Sequence, residues 1–198
     1  MQENFSKEDS LLIIESMVRK AKNQFSENGH LYLLWGWTVF ICSLSQFILM
    51  YFFQLEKAYM VWALTWIMVI YQFFYLRKKI QRNKVRTYTE EIMGYVWLVF
   101  FILMVLTGFI AGRYSLNNPY FLLDTVFLAL YGMPTFLSGV ILRFRPLVYG
   151  GIFCWALSVI STFIEPHYHL LLVALAMIAG WIIPGYQLRS RYKLQTNL

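Results

Sequence analysis

The sequence predicts an all-α membrane protein: a polytopic bundle of six transmembrane helices with an N-terminal amphipathic helix and both termini cytoplasmic. Three observations lead there. Six long apolar runs divide the 198 residues; five hold no Asp, Glu, Lys or Arg, and the fourth holds only Asp124. The runs lack the period-2 alternation of barrel strands. Finally, 15 of the 17 Lys and Arg residues fall into alternate gaps between the runs.

The runs are Leu31–Phe53, Ala58–Leu76, Ile92–Gly112, Pro119–Leu142, Pro146–Ile164 and Leu170–Leu188. A bilayer core of about 30 Å needs about 20 helical residues, and backbone in lipid must pair within its own segment. Each run is therefore expected to cross as a helix. Residues 1–29 form a cytoplasmic amphipathic arm, 30–188 the six-helix domain and 189–198 a basic cytoplasmic tail.

The arm carries Ser6 and Asp9 at the spacing of a capping box. Leu11, Ile14, Val18, Ala21 and Phe25 then recur at helical spacing, Glu15 and Arg19 pair on another face, and Gly29 is a stop signal. Such a helix is expected to lie on the inner membrane surface or against the bundle. The second reading makes residues 6–25 a docking helix for a cytoplasmic protein partner. Thirty mostly polar residues stand where a cleavable signal would place its apolar stretch, so the first run is expected to direct insertion.

Charge sets the direction. The arm, the second gap (Arg77 to Arg86), the fourth gap (Arg143, Arg145) and the tail hold all the basic residues except Lys57 and Arg113. Short loops rich in Lys and Arg stay cytoplasmic. The net charge of +7 thus gathers beside the inner leaflet, where anionic lipid attracts each Lys or Arg by about 1 kcal/mol. Nucleic-acid binding has no module, basic groove or aromatic platform to support it. Cys42 and Cys154 lie inside apolar runs without metal-ligand company and read as small packing residues.

The outer connections are short (Gln54–Lys57, Arg113–Asn118 and Glu165–His169), so neighbouring helices must run antiparallel. Gly150, Gly151, Ala156 and Ser158 in the fifth run, with Ala176 and Gly180 in the sixth, predict that helices 5 and 6 are the closest pair. Pro134 and Pro184 are expected to kink or interrupt the fourth and sixth helices. Leu34-Trp35-Gly36 echoes Leu130-Tyr131-Gly132, and Trp62-Ala63-Leu64-Thr65 echoes Trp155-Ala156-Leu157-Ser158. With three spans per half, such a duplication would be an inverted repeat.

Few residues suggest chemistry. Asp124 is the sole acid within a run, and intramembrane charge is costly enough to mark a ligand-binding candidate; Tyr120 and Tyr131 share its helical face. The functional reading is a proton or cation site. The structural alternative, which the depth of Asp124 favours, is an interfacial carboxylate that caps its helix or pairs with Arg113. Glu165, His167 and His169 are of the right types for zinc or copper. His-x-His in a short loop is nonetheless an unspecific pattern, and a structural turn with an interfacial Tyr168 is the expected outcome. No zinc-protease, phosphate-loop or nucleophile-elbow motif occurs, and no cofactor is expected.

The stretch Phe25-Ser26-Glu27-Asn28-Gly29-His30-Leu31-Tyr32-Leu33-Leu34-Trp35-Gly36-Trp37 resembles a set of small uncharacterised bacterial inner-membrane proteins. Arg145-Pro146-Leu147-Val148-Tyr149-Gly150-Gly151 and Ile183-Pro184-Gly185-Tyr186 strengthen the resemblance, which covers most of the chain. It implies the bacterial inner membrane and a helical bundle, and nothing chemical.

The first functional expectation is a non-enzymatic interaction protein, regulatory or accessory, with the lipid bilayer, anionic lipid at the inner face, a cytoplasmic protein and a second copy of itself as its partners. The second is a small secondary transporter or ion-coupled permease. The third, a membrane enzyme with an outer-face metal site, rests only on the outer histidines.

Overall fold

The computed structural model describes residues 29–55, 57–82, 88–114 and 120–196. The amphipathic arm, with its capping box and its apolar stripe, lies outside the described residues. So do residues 56, 83–87, 115–119 and 197–198.

The described residues form six helical rods without a strand. α1 spans His30–Tyr51; a 3-10 turn over Ala58–Trp62 leads into α2, Ala63–Arg82. α3 spans Tyr88–Tyr114, α4 Tyr120–Ile141 and α5 Arg145–Ser161. A 3-10 turn at Pro166–Tyr168 opens α6, which comprises an α-helix His169–Met177, a π-helical turn Ile178–Ile182 and an α-helix Ile183–Thr196. Five helices are long and apolar enough to cross a membrane: His30–Tyr51, Ala58–Lys78, Tyr88–Arg113, Leu123–Ile141 and Pro166–Leu194.

α5 is the exception, with only 17 residues. The run Pro146–Ile164 suggested a full-length span, but the helix ends at Ser161 for a local reason. Thr162, Phe163 and Ile164 bond back to Val159, Ile160 and Ser161, a tightening of the last turn into i→i+3 spacing. Pro166 then forces Glu165 into an extended conformation, ψ 142°.

The two prolines do not break their helices. α4 runs through Pro134. The carbonyls on either side of Leu130, whose partner N–H Pro134 lacks, receive side-chain donors: Thr135 Oγ1 to Tyr131 O at 2.6 Å and Trp155 Nε1 to Ala129 O at 3.1 Å. In α6 the π-helical turn ends two residues before Pro184, whose ring would collide with the carbonyl four residues back in a regular helix. The wider turn absorbs that conflict, and α6 continues to Thr196.

Contrary to the small-residue argument, α4 and α5 make the most extensive contact, rather than α5 and α6. A Cβ on Gly151 would lie 2.7 Å from Phe136 N, and one on Gly139 would lie 2.5 Å from Val148 N. Glycines on both helices therefore set backbone against backbone. The predicted α5–α6 approach does occur at one point, where a Cβ on Gly150 would lie 2.7 Å from Gly180 Cα. α1 lies along α6, and Gly36 faces Trp181 and Ile182. Gly29 has φ 69°, and a Cβ there would lie 2.5 Å from Gly185 O, so both backbone and space require glycine.

α2 and the 3-10 turn before it rest on α1, with Trp62 Nε1 of the turn donating to Gln46 Oε1 and Trp35 Nε1 to Gln72 Oε1 of α2. α3 packs on α4. Both helices otherwise face outward: none of the apolar window of α2 and 11% of that of α3 is buried. The internal echo places its glycines differently, since Gly36 meets α6 whereas Gly132 meets Trp155 of α5.

This antiparallel arrangement sorts charge by end. Arg77, Lys78, Arg143, Arg145, Arg189, Arg191 and Lys193 share one end, hereafter the basic end, while Lys57, Arg113, Glu165 and His167 share the other.

Candidate functional site

Two polar features stand out within the apolar bundle, one near the end opposite the basic charges and one deeper. The first is a tier of hydroxyls around Asp124 in the first turns of α4. The hydroxyls of Thr125 (α4) and Ser161 (α5) are 2.8 Å apart, Ser158 Oγ donates to Thr125 O at 2.9 Å, and Ser161 Oγ donates to Ser158 O at 2.7 Å. On the other side Ser43 of α1 donates to Leu170 O of α6. Each hydroxyl reaches a carbonyl or a second hydroxyl, as an apolar surrounding demands.

His169 opens α6 in this tier and is 1% exposed. Its Nε2 lies 3.1 Å from the Ile164 carbonyl, so this nitrogen carries the proton and donates. Asp124 is half-buried and lies within electrostatic range of His169. Sequence spacing could not join these two, since 45 residues separate them.

The histidines of the Glu-Pro-His-Tyr-His turn part company. Glu165 and His167 are exposed while His169 turns inward. Among the described residues no group of three His, Cys, Asp or Glu side chains is placed to hold a metal ion. A recess of about 20 Å³, room for about one water, lies at the same end between Phe47, Met50, Tyr51, His167 and Leu170. Asp124 does not line it.

Tyr131, the second ligand-binding candidate, belongs to the deeper feature. Its ring is 4% exposed and lies 5.4 Å, edge-on, from Trp181 and 5.8 Å from Phe100. Trp181 in turn lies 5.6 Å from Trp97, which lies 5.6 Å from Tyr32. These rings tie α1, α3, α4 and α6 together; the Tyr131–Trp181, Trp97–Trp181 and Tyr32–Trp97 pairs are edge-on, an arrangement aromatic quadrupoles favour, and Phe100–Tyr131 is tilted. Trp181 Nε1 donates to Thr135 Oγ1 at 2.7 Å, inside a fully buried environment.

Sequence reasoning did not single out Trp97, Trp181, Tyr32 or Thr135. A usable signal exists: tryptophan prefers the membrane interface, yet Trp181 stands eleven residues into the sixth run. A Trp well inside a span needs a partner for its N–H, and Thr135 supplies it.

No family model, curated protein sequence or solved structure matches the chain.

Proposed function

We propose that this is a six-span protein of the bacterial inner membrane, with both termini in the cytoplasm, that works by interaction as a regulatory or accessory subunit. One observation carries the reading. The interior of α1, α4, α5 and α6 is filled by glycine contacts and aromatic rings, while charge is concentrated at the basic end. A transport path needs polar groups along its length, and here the hydroxyls of the tier bond to carbonyls or to one another. The outward apolar surface fits the membrane part of the proposal: Trp66, Phe74 and Phe109 are each at least 65% exposed, which water tolerates poorly over so wide an area.

A small proton-coupled transporter is the second reading, favoured by the approach of Asp124 to His169. A pull-down of the full chain from detergent, after cross-linking in membranes, distinguishes the two. The interaction reading expects a stoichiometric partner, either another protein or a second copy. It further expects Asp124→Asn to leave both that recovery and the detergent elution profile unchanged. A chain recovered alone, together with a proton-coupled flux that Asp124→Asn abolishes in a folded protein, would overturn it.

A further inference from the structure

The turn between α4 and α5 has properties that a spread of positive charge along an inner membrane face does not. Its backbone is fixed: Leu142 N bonds Ser138 O at 2.9 Å, Arg143 N bonds Val140 O at 3.1 Å and Phe144 N bonds Gly139 O at 2.8 Å. Arg143 takes the left-handed conformation, φ 50°, that closes this turn. Phe144 is buried at 7% exposure and anchors the loop, leaving Arg143 and Arg145 exposed on either side. From α6, the Arg191 guanidinium reaches over the same ring, 5.8 Å from its centroid. Two exposed arginines thus flank the buried Phe144 in this turn, and a third, from α6, lies over its ring.

The corner is also recessed. From the Gly150–Gly180 contact, α5 runs five residues to Arg145, about 7.5 Å, whereas α6 runs 16 residues to Thr196, about 24 Å. Being only 17 residues long, α5 spans about 25 Å, less than a hydrocarbon core of about 30 Å. A short span is accommodated by local thinning or by polar groups drawn inward. Directly along α5 from Arg145, at helical spacing, stand Tyr149 at 65%, Ile152 at 47% and Phe153 at 41% exposure. A fixed cationic head therefore continues into an exposed apolar track.

The geometry points to a defined site for one anionic phospholipid, resting on the membrane reading above. The headgroup phosphate sits among Arg143, Arg145 and Arg191, and the acyl chains run along Tyr149, Ile152 and Phe153. Arginine's planar fork suits phosphate oxygens, and the apolar track selects a lipid over a free phosphate. Arg77 and Lys78 lie within the outward-facing helix α2 and not on a turn.

The test is native mass spectrometry of the full chain in detergent with added phosphatidylglycerol or phosphatidylcholine. One phosphatidylglycerol is expected to be retained in preference to phosphatidylcholine and to resist displacement by inorganic phosphate. The double variant Arg143→Gln/Arg145→Gln should weaken retention by about tenfold or more. Arg77→Gln/Lys78→Gln, which removes the same charge elsewhere, should leave it near the original level. Equal loss in the two doubles would mean a diffuse charge effect and would overturn the site. So would displacement of the lipid by inorganic phosphate, or full retention in Arg143→Gln/Arg145→Gln. Carbonate extraction tests the underlying reading separately: release of the chain from membranes defeats the membrane assignment itself. Retention in membranes with equal loss in the doubles defeats the lipid site alone.

Discussion

Trp181→Ala is expected to destabilise the folded bundle by about 3–5 kcal/mol, the range for removing a large buried aromatic side chain. The side chain is 2% exposed and sits between Trp97 and Tyr131. In lipid the hydrophobic term between helices is weak, but the packing lost around a cavity remains. Truncation would also take the N–H from Thr135 Oγ1, whose own proton is committed to the Tyr131 carbonyl. Trp181→Phe is the milder step, because it keeps a ring in the hub while forfeiting the donor and part of the indole volume, a loss of about 1–3 kcal/mol. Reversible unfolding in mixed micelles checks the series. A Trp181→Ala protein as stable as the original would show that the rings touch without supporting the fold.

The second large effect is expected at Gly151. An alanine methyl there would lie 2.7 Å from Phe136 N and 2.8 Å from Phe136 Cα, atoms that cannot rotate away. α4 and α5 would have to separate along their most extensive contact, at a cost of about 1–3 kcal/mol. Gly108 of α3 is the counterpart, since a Cβ there meets nothing within 4 Å. Gly108→Ala should therefore be neutral or stabilise by up to about 1 kcal/mol through helix propensity. Opposite signs for the same chemical change, read from thermal midpoints in one detergent, are the expected result. A Gly151→Ala protein as stable as Gly108→Ala would mean that the α4–α5 contact is looser than the structure places it.

The number and order of the six helices among the described residues could be read from the sequence because long uncharged runs have few alternatives in lipid. Their pairing could not. A helix that is apolar all round has no amphipathic stripe to show which face meets its neighbours. Gly150 and Gly180 marked one true approach, but nothing in the sequence indicated that Gly151 and Gly139 would face α4 and α5 backbone. Pro184 announced a conflict, as expected; that a π-helical turn just before it would carry the helix on to Thr196 was not legible.

Of the candidate site, Asp124 was visible as a lone acid, but its approach to His169 was not, because it is made across α4 and α6. The alternation of direction at a turn likewise separates His169 from His167, which sequence spacing alone had grouped. The arginine corner needed the fold as well. Arg143 and Arg145 were legible only as topology signals until Phe144 and Arg191 were brought together.

The whole account stands on six crossings with the basic end inside. Substituted-cysteine labelling with a membrane-impermeant maleimide tests that most directly, using His167→Cys at one end and Lys193→Cys at the other. Both positions are exposed, and the native Cys42 and Cys154 are buried, so background labelling is low. In intact spheroplasts the account predicts labelling at position 167 and none at 193 until the membrane is opened. Labelling at 193 in sealed spheroplasts, with 167 protected, would contradict it.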